Sequence, residues 1–587
     1  MKSFFQNVLS TIVGVVLSII VIILLFVGII SITTSLYKDD NKTKIKINSV
    51  LKVNLSNPVV ERTSGNPFEG MPFTNLDYQK EIELKTILDN IEKAKTDERI
   101  RGIYLNVPFV NAGLSQIEEI RNKLLEFKKS NKFIISYAEN YSQLGYYLSS
   151  VADELYLHPE GLVELKGFSS QVVFFMNLLE KLDIEAQVIR HGKFKSAIEP
   201  FILDRMSDAN REQISLLVNT IANNIMDSIA SQRSITLSQL EKLANKLELN
   251  TSQKCLDNNF IDALIYQDEL EEKIKSKLET EQKIEYVPIT KYINAKLKQG
   301  EKISRNKIAI IYATGEISSG KGDLKSIGSE TTAKAIKIAR EDKKVKAIVL
   351  RVNSPGGSAL ASDVIWRETL LAKDKKPLVI SMGDLAASGG YYISCAADSI
   401  VANPTTITGS IGVFGLIFNG KGFLNNKLGI HIDTVNTSKY ADIGGIHRRL
   451  SSFEKAKIQE YVEDVYETFI NHVANGRNMS TSAIDDIGQG RIWSGYDAKK
   501  LGLVDVLGGL ETAIEIAAHL AKIEEYRIIS LPKKKNTIEE FIRIMRGEET
   551  NYIAKILGFD NKYFKPLEDL LKNEKIQTRM PFVLEIN

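Results

Sequence analysis

The sequence predicts an α/β protein made of two tandem copies of one unit, with mostly parallel strands, behind an N-terminal apolar helix. Three observations carry that expectation. Residues 102–159 can be laid on 347–404 without a gap, so that Tyr146 and Tyr147 fall on Tyr391 and Tyr392, Asp153 on Asp398 and Pro159 on Pro404. Each copy repeats an apolar strand, a glycine or polar turn and a helix, the alternation that sets strands side by side in parallel. Residues 8–32 carry no charge and are dense in Val, Ile and Leu, long enough to span a bilayer with some tilt.

At 587 residues the chain exceeds what one core can organise, so two large domains are expected. The net charge of +3 implies no polyanion, hence no nucleic-acid partner. The six histidines are scattered without metal-ligand spacing, and nothing calls for a metal or another cofactor. Cys255 and Cys395 read as separate core thiols.

The order of segments follows. Residues 1–7 form a tip and 8–32 an uncleaved anchor, because residues 29–34 offer no small-residue cleavage site. Residues 33–46 are a linker. Lys2 precedes the anchor and Lys38, Lys42, Lys44 and Lys46 follow it, so charge alone leaves the orientation undecided. Residues 47–266 hold the first copy and 307–523 the second. The Lys- and Glu-rich stretch 267–306 reads as an exposed helical connector, and 524–587 as a tail of no legible role. A looser match sets Asn259 on Gly502, two residues that both tolerate a left-handed helix end.

Within the second copy, 377–380 reads as a short buried strand and 391–397 as a helix. Ser388 stands between them, where a hydroxyl is exposed beside helix amides. The alternative is an ordinary helix-capping serine. The differences between the copies decide what to make of it. Ser388 faces Gln143, and the turn Asn353-Ser354-Pro355-Gly356-Gly357 faces a stretch without the glycine pair. Ser410 faces Leu165, while Lys195 of the first copy falls opposite Ala441 after a one-residue shift. One copy keeps the serine and the other the lysine.

Four motifs carry a family resemblance: Asp384-Leu385-Ala386-Ala387-Ser388-Gly389-Gly390-Tyr391, Asn353 to Gly357 as above, Thr408-Gly409-Ser410-Ile411-Gly412, and Lys195-Ser196-Ala197-Ile198-Glu199-Pro200-Phe201. In order and spacing the chain resembles the signal peptide peptidase A (protease IV) family of the long, two-repeat type. The resemblance covers the chain from the anchor to about residue 523. It implies a ClpP/crotonase-like fold of stacked ββα superhelical units, a bacterial inner-membrane anchor with the catalytic body on the periplasmic side, and a homotetramer that degrades residual signal peptides.

The residues support the same chemistry directly. A serine needs a base beside it, and no histidine lies in any motif. A lysine serves if burial makes it neutral. Lys195 has the apolar neighbours Phe194, Ala197 and Ile198, and Lys193 is the competing candidate. Ser410 would orient the amine, and the amides of Gly389 and of Gly356 or Gly357 would hold an oxyanion. Tyr391, Tyr392 and Trp493 read as packing aromatics, Asp384 as structural because the other copy has Glu139, and His191 as a surface residue. The expected function is a membrane-anchored serine endopeptidase acting on short apolar peptides. The competing readings are a crotonase-like acyl-CoA enzyme and a non-catalytic membrane scaffold.

Overall fold

The computed structural model describes residues 45–63, 81–295, 304–534 and 576–579, with isolated residues between 10 and 21. No described helix is long and apolar enough to cross a membrane. Most of the run 8–32 lies outside the described residues.

The first repeat alternates β1 (Ser49–Val53), α1 (Leu84–Thr96), β2 (Ile100–Leu105), α2 (Leu114–Lys128), β3 (Phe133–Ala138), α3 (Gln143–Ser149) and β4 (Glu154–Leu157). It continues through β5 (Glu185–Arg190), α4 (Asp208–Arg233), β6 (Ala263–Leu264), α5 (Gln267–Leu278) and β7 (Tyr286–Pro288). All but β5 make a parallel sheet in the order β6-β4-β3-β2-β1-β7. The central strands are buried on both faces, which is why β2 and β3 are almost continuously apolar.

The second repeat opens with β8 (Lys307–Thr314), β9 (Glu316–Ser318), β10 (Ser326–Gly328), α6 (Ser329–Glu341), β11 (Val345–Ser354), β12 (Gly356–Ser358) and α7 (Ala359–Lys373). It runs on through β13 (Leu378–Ala387), α8 (Gly389–Tyr392), β14 (Ser399–Ala402), β15 (Ile407–Gly409) and β16 (Phe414–Asn419). It closes with α9 (Ser452–Arg477), β17 (Ile492–Ser494), β18 (Val506–Leu507), α10 (Leu510–Leu520) and β19 (Arg527–Leu531). The path β18-β14-β13-β11-β8-β19 repeats that of the first sheet, and β15 and β17 extend it beside the far half of β13. Helices α1 and α6, and α2 and α7, keep the same 245-residue offset that the sequence match requires.

Four expectations differ from the structure. Residues 267–306 are no mere connector: α5 buries Leu270, Ile274 and Leu278 against the first sheet, and β7 forms that sheet's edge. The charges of α5 occupy only its outer face. The strand expected over 377–380 runs on to Ala387, because after a register shift it still pairs with β11, Ser354 opposite Ala386, and its second half also pairs with β15. The helix expected over 391–397 is shorter and earlier, at α8. Finally, the tail beginning at residue 524 starts with β19, a strand of the second sheet.

A third sheet joins the repeats in the order β10-β9-β12-β20-β16-β5, where β20 (Ile576–Arg579) comes from the tail. Strands β16 and β5 pair antiparallel from Phe414 opposite Arg190 to Asn419 opposite Glu185. Buried polar contacts register the two halves elsewhere. Arg351 donates to Glu61 at 2.8 and 3.0 Å and to Glu119 at 2.8 Å, and Asp384 accepts from the Ser115 amide at 2.9 Å. Removing one partner of such a buried ion pair would leave an uncompensated buried charge, so breaking it is costly.

Candidate active site

Ser388 links β13 to α8 with φ 58° and ψ −114°, a backbone conformation that costs a non-glycine residue about 1–3 kcal/mol. Its amide donates to the Gly409 carbonyl at 2.8 Å, which fixes the turn against β15. The side chain makes no capping bond to α8, so the capping alternative does not describe it. The first repeat shows what the same position does without a nucleophile. There Gln143 opens α3, and its Oε1 accepts from the amides of Lys166 and Gly167 at 3.0 Å each, closing its own repeat's turn.

Lys195 lies in the loop after β5, fully buried. Its Nζ is 2.8 Å from Ser388 Oγ, 3.0 Å from Ser410 Oγ and 3.2 Å from the Ser410 carbonyl oxygen. Ser410 is also buried, with φ 52°, and its amide donates to the Arg491 carbonyl at 2.7 Å. Burial holds the Lys195 ammonium well below the ordinary lysine range, with no acidic group opposing it. Ala197 and Ile198 supply the expected apolar surroundings, packed with Phe201 and Phe414. The competing Lys193 is exposed, its ammonium 5.3 Å above the Phe194 ring.

Three neighbours suit a neutral amine, which has two N–H groups and one lone pair. Both acceptors on Ser410 can take the hydrogens, leaving the lone pair for the Ser388 hydroxyl proton. The loop is seated by a close approach that only glycine allows. Gly490 has φ +84°, and a Cβ there would fall 2.6 Å from Lys195 Cα. A Cβ at Gly412 would fall 2.8 Å from Gly490 Cα and 3.3 Å from Lys195 Cδ.

The glycines expected to hold an oxyanion are less uniformly placed. Gly389 is the first residue of α8, directly after Ser388, where a helix leaves amides without intrahelical partners. Gly356 donates its amide to Ser354 Oγ at 3.1 Å within its own turn. At Gly357 (φ +155°) a Cβ would fall 2.0 Å from the Ile317 carbonyl oxygen, so packing against β9 also demands glycine there. Strand β20 lies antiparallel between these glycines and β16, with Arg579 opposite Gly356 and Gln577 opposite Phe414.

The residues read as structural behave so. Tyr391 donates to the Leu503 carbonyl at 2.9 Å, as its counterpart Tyr146 does to Phe260 at 2.9 Å. Trp493 donates to the Ile487 carbonyl at 2.9 Å. His191 is only partly exposed, since it hydrogen-bonds Glu463 and stacks on Tyr466 with ring centroids 3.7 Å apart. Sequence reasoning missed Gln213 and Gly490, the groups that hold the lysine loop; a lone amide on a helix face has no periodic signature. Among the described residues no cluster of His, Cys, Asp and Glu could hold a metal ion.

The chain is similar to known peptidases. The sequence model of Peptidase family S49 matches residues 126–281 and 371–524, one stretch in each repeat. The chain is 37% identical over 555 residues to Protease 4 of Salmonella typhi, covering 92% of this chain and 89% of that one. It is 34% identical over 515 residues to the chloroplastic serine protease SPPA of Arabidopsis thaliana, covering 86% of this chain and 75% of that one. A solved structure of a ClpP1 mutant from Listeria monocytogenes matches 35% of this chain and 94% of its own at 17% identity. Its TM-score is 0.24, too slight a likeness to argue from.

Proposed function

The chain belongs to peptidase family S49 and is a serine endopeptidase, and from that premise we propose that Ser388 is its nucleophile and Lys195 its general base. The observation that carries the assignment is the 2.8 Å contact between Nζ and Oγ of residues 193 positions apart, from different repeats. The neutral amine takes the Ser388 proton as Oγ attacks the scissile carbonyl. The resulting ammonium keeps its hydrogen bonds to Ser410 and passes a proton to the leaving amine. Water then cleaves the acyl-serine with the same lysine as base. Ser410 orients the amine throughout.

The developing oxyanion is held by the Gly389 amide together with that of Gly356 or Gly357. Gly356 would exchange its Ser354 partner for the substrate. An extended peptide adds as a strand where β20 lies, between β12 and β16, and its backbone makes the ladder bonds. This favours short unfolded peptides over folded proteins.

The substrates are cleaved signal peptides and other short apolar peptides, as the family resemblance implies. The apolar run 8–32 supports single-pass membrane anchoring, and the family resemblance implies a bacterial inner membrane with the catalytic body on the periplasmic side. Self-association, as a tetramer by family resemblance, is supported by exposed apolar side chains along one segment: Leu428, Ile430, Ile432, Val435, Ile443 and Ile446. The parallel strand-helix alternation of each repeat suits a ClpP/crotonase-like unit. The test is hydrolysis of a short apolar peptide by the purified chain. Ser388→Ala loses it and keeps the fold, as Gln143 at the equivalent site of the first repeat indicates. Undiminished hydrolysis by that variant refutes the assignment.

A further inference from the structure

The nucleophile and the base sit on different repeats, so something must hold them in register. We propose that Gln213 of α4 is a positioning residue for the reaction, clasping the Lys195 loop to β17, the strand paired with the one that leads into Ser410. Gln213 is almost fully buried. The two hydrogens of its Nε2 are shared among three acceptors, the Phe194 carbonyl at 3.1 Å and Ser196 Oγ at 2.9 Å, from the residues on either side of Lys195, and Asn210 Oδ1 at 3.1 Å. Its Oε1 accepts from the Ile492 amide at 3.2 Å.

Ile492 belongs to the second repeat. It opens β17 and stands opposite Gly409, the residue before Ser410. The segment leading into it is bound to both partners. The Phe194 amide donates to the Gln489 carbonyl at 3.0 Å, the Gly490 amide to Ile411 at 2.6 Å and the Ser410 amide to Arg491 at 2.7 Å. One side chain thus spans from the peptide bond of the base to the strand beside the serine turn. The two long helices α4 and α9 correspond at an offset of 244, which sets Gln213 opposite Lys457, a lysine whose ammonium pairs with Glu460 at 2.7 Å. The amide, like Lys195, occurs only in the copy that supplies the base.

Charged groups around the loop are engaged elsewhere. Glu199 accepts from Ser207 Oγ at 2.6 Å and Asn210 Nδ2 at 2.9 Å. Glu212 pairs with Arg491 at 2.9 Å, and the Arg491 guanidinium lies 4.6 Å from the Phe194 ring. Lys193 points over that ring, and His191 is bound to Glu463. The clasp therefore acts on Lys195 through position and burial, with no compensating charge.

The inference rests on Lys195 as base. The experiment measures kcat, KM and the pH profile of Gln213→Met, which keeps the volume and removes the amide. Gln213→Glu is the second variant, and Gln213→Asn replaces Gln213→Met if that does not fold. Asn90→Ala is the control, a buried amide in the same repeat that donates to Ile289 at 2.8 Å. Loosening the loop by about 1 Å should lower kcat about a hundredfold with little change in KM. It should also move the rising limb of activity to higher pH as the lysine gains solvent, while Asn90→Ala leaves turnover and limb in place. Wild-type turnover in the Gln213 variants overturns the proposal, and so does a loss with an unmoved limb. If Lys195→Ala abolishes turnover while Gln213→Met retains it, the clasp fails and the base assignment stands.

Discussion

Replacing Gly490 by alanine tests how finely the lysine must be placed. The residue has φ +84°, and the new methyl would fall 2.6 Å from Cα, Cβ and N of Lys195. Ordinary carbon contacts lie at about 3.5–4.0 Å, so the loop must retreat by about 1 Å. Misplacing a catalytic group by that much costs about a hundredfold in rate, about 2.7 kcal/mol in the barrier. The left-handed backbone adds roughly 1–2 kcal/mol of destabilisation that has nothing to do with catalysis. Gly429→Ala separates the two effects, because Gly429 has φ +68° and nothing within 4 Å of a Cβ. Steady-state hydrolysis of a short apolar peptide, with thermal unfolding of each variant, is the assay. Both variants bear the left-handed cost, Gly490→Ala loses further stability to the clash, and only Gly490→Ala loses kcat. Equal turnover in the two would refute the claim that this contact seats the base.

Lys195→Ala should abolish hydrolysis, and Lys195→Arg should not restore it, because a guanidinium cannot give up its proton in a protein; a working arginine variant would make the residue a positioning charge. The pH profile follows from burial of Lys195, which depresses its folded pKa. Activity rises with pH through that value. The unfolded chain binds the proton more readily, so stability also rises with pH, up to the ordinary lysine value of about 10.4. The limb in kcat/KM should survive His191→Gln, and its disappearance would move the base to histidine. Deleting residues 576–587 removes β20 from between β12 and β16. KM for a peptide should fall, and an unchanged KM would show that the strand does not lie in the substrate path.

The two-copy architecture was legible because turn and strand residues recur at one fixed offset, and helices α2 and α7 keep that offset. Ser388 and Lys195 were legible because each is missing from the other copy, and the structure brings them together with Ser410. Other features left no pattern to read. Gly383 and Asp384 are residues typical of turns, yet β13 passes through them extended. Helix α5 hid three apolar residues at four-residue spacing among a majority of charges, so its polar face dominated the reading. The Gly356 amide looked available in the sequence and is taken by Ser354. Gln213 joins residues far apart in the chain, and no local rule reports that.

The central claim is that Lys195, supplied by the first repeat, activates Ser388 on the second. Its most direct test is labelling of the purified chain with a covalent serine-reactive phosphonate, followed by peptide mapping across pH. The account predicts modification at Ser388, at a rate that rises with pH and collapses in Lys195→Ala. Modification of another residue, or equal labelling of Ser388 without the lysine, would contradict it.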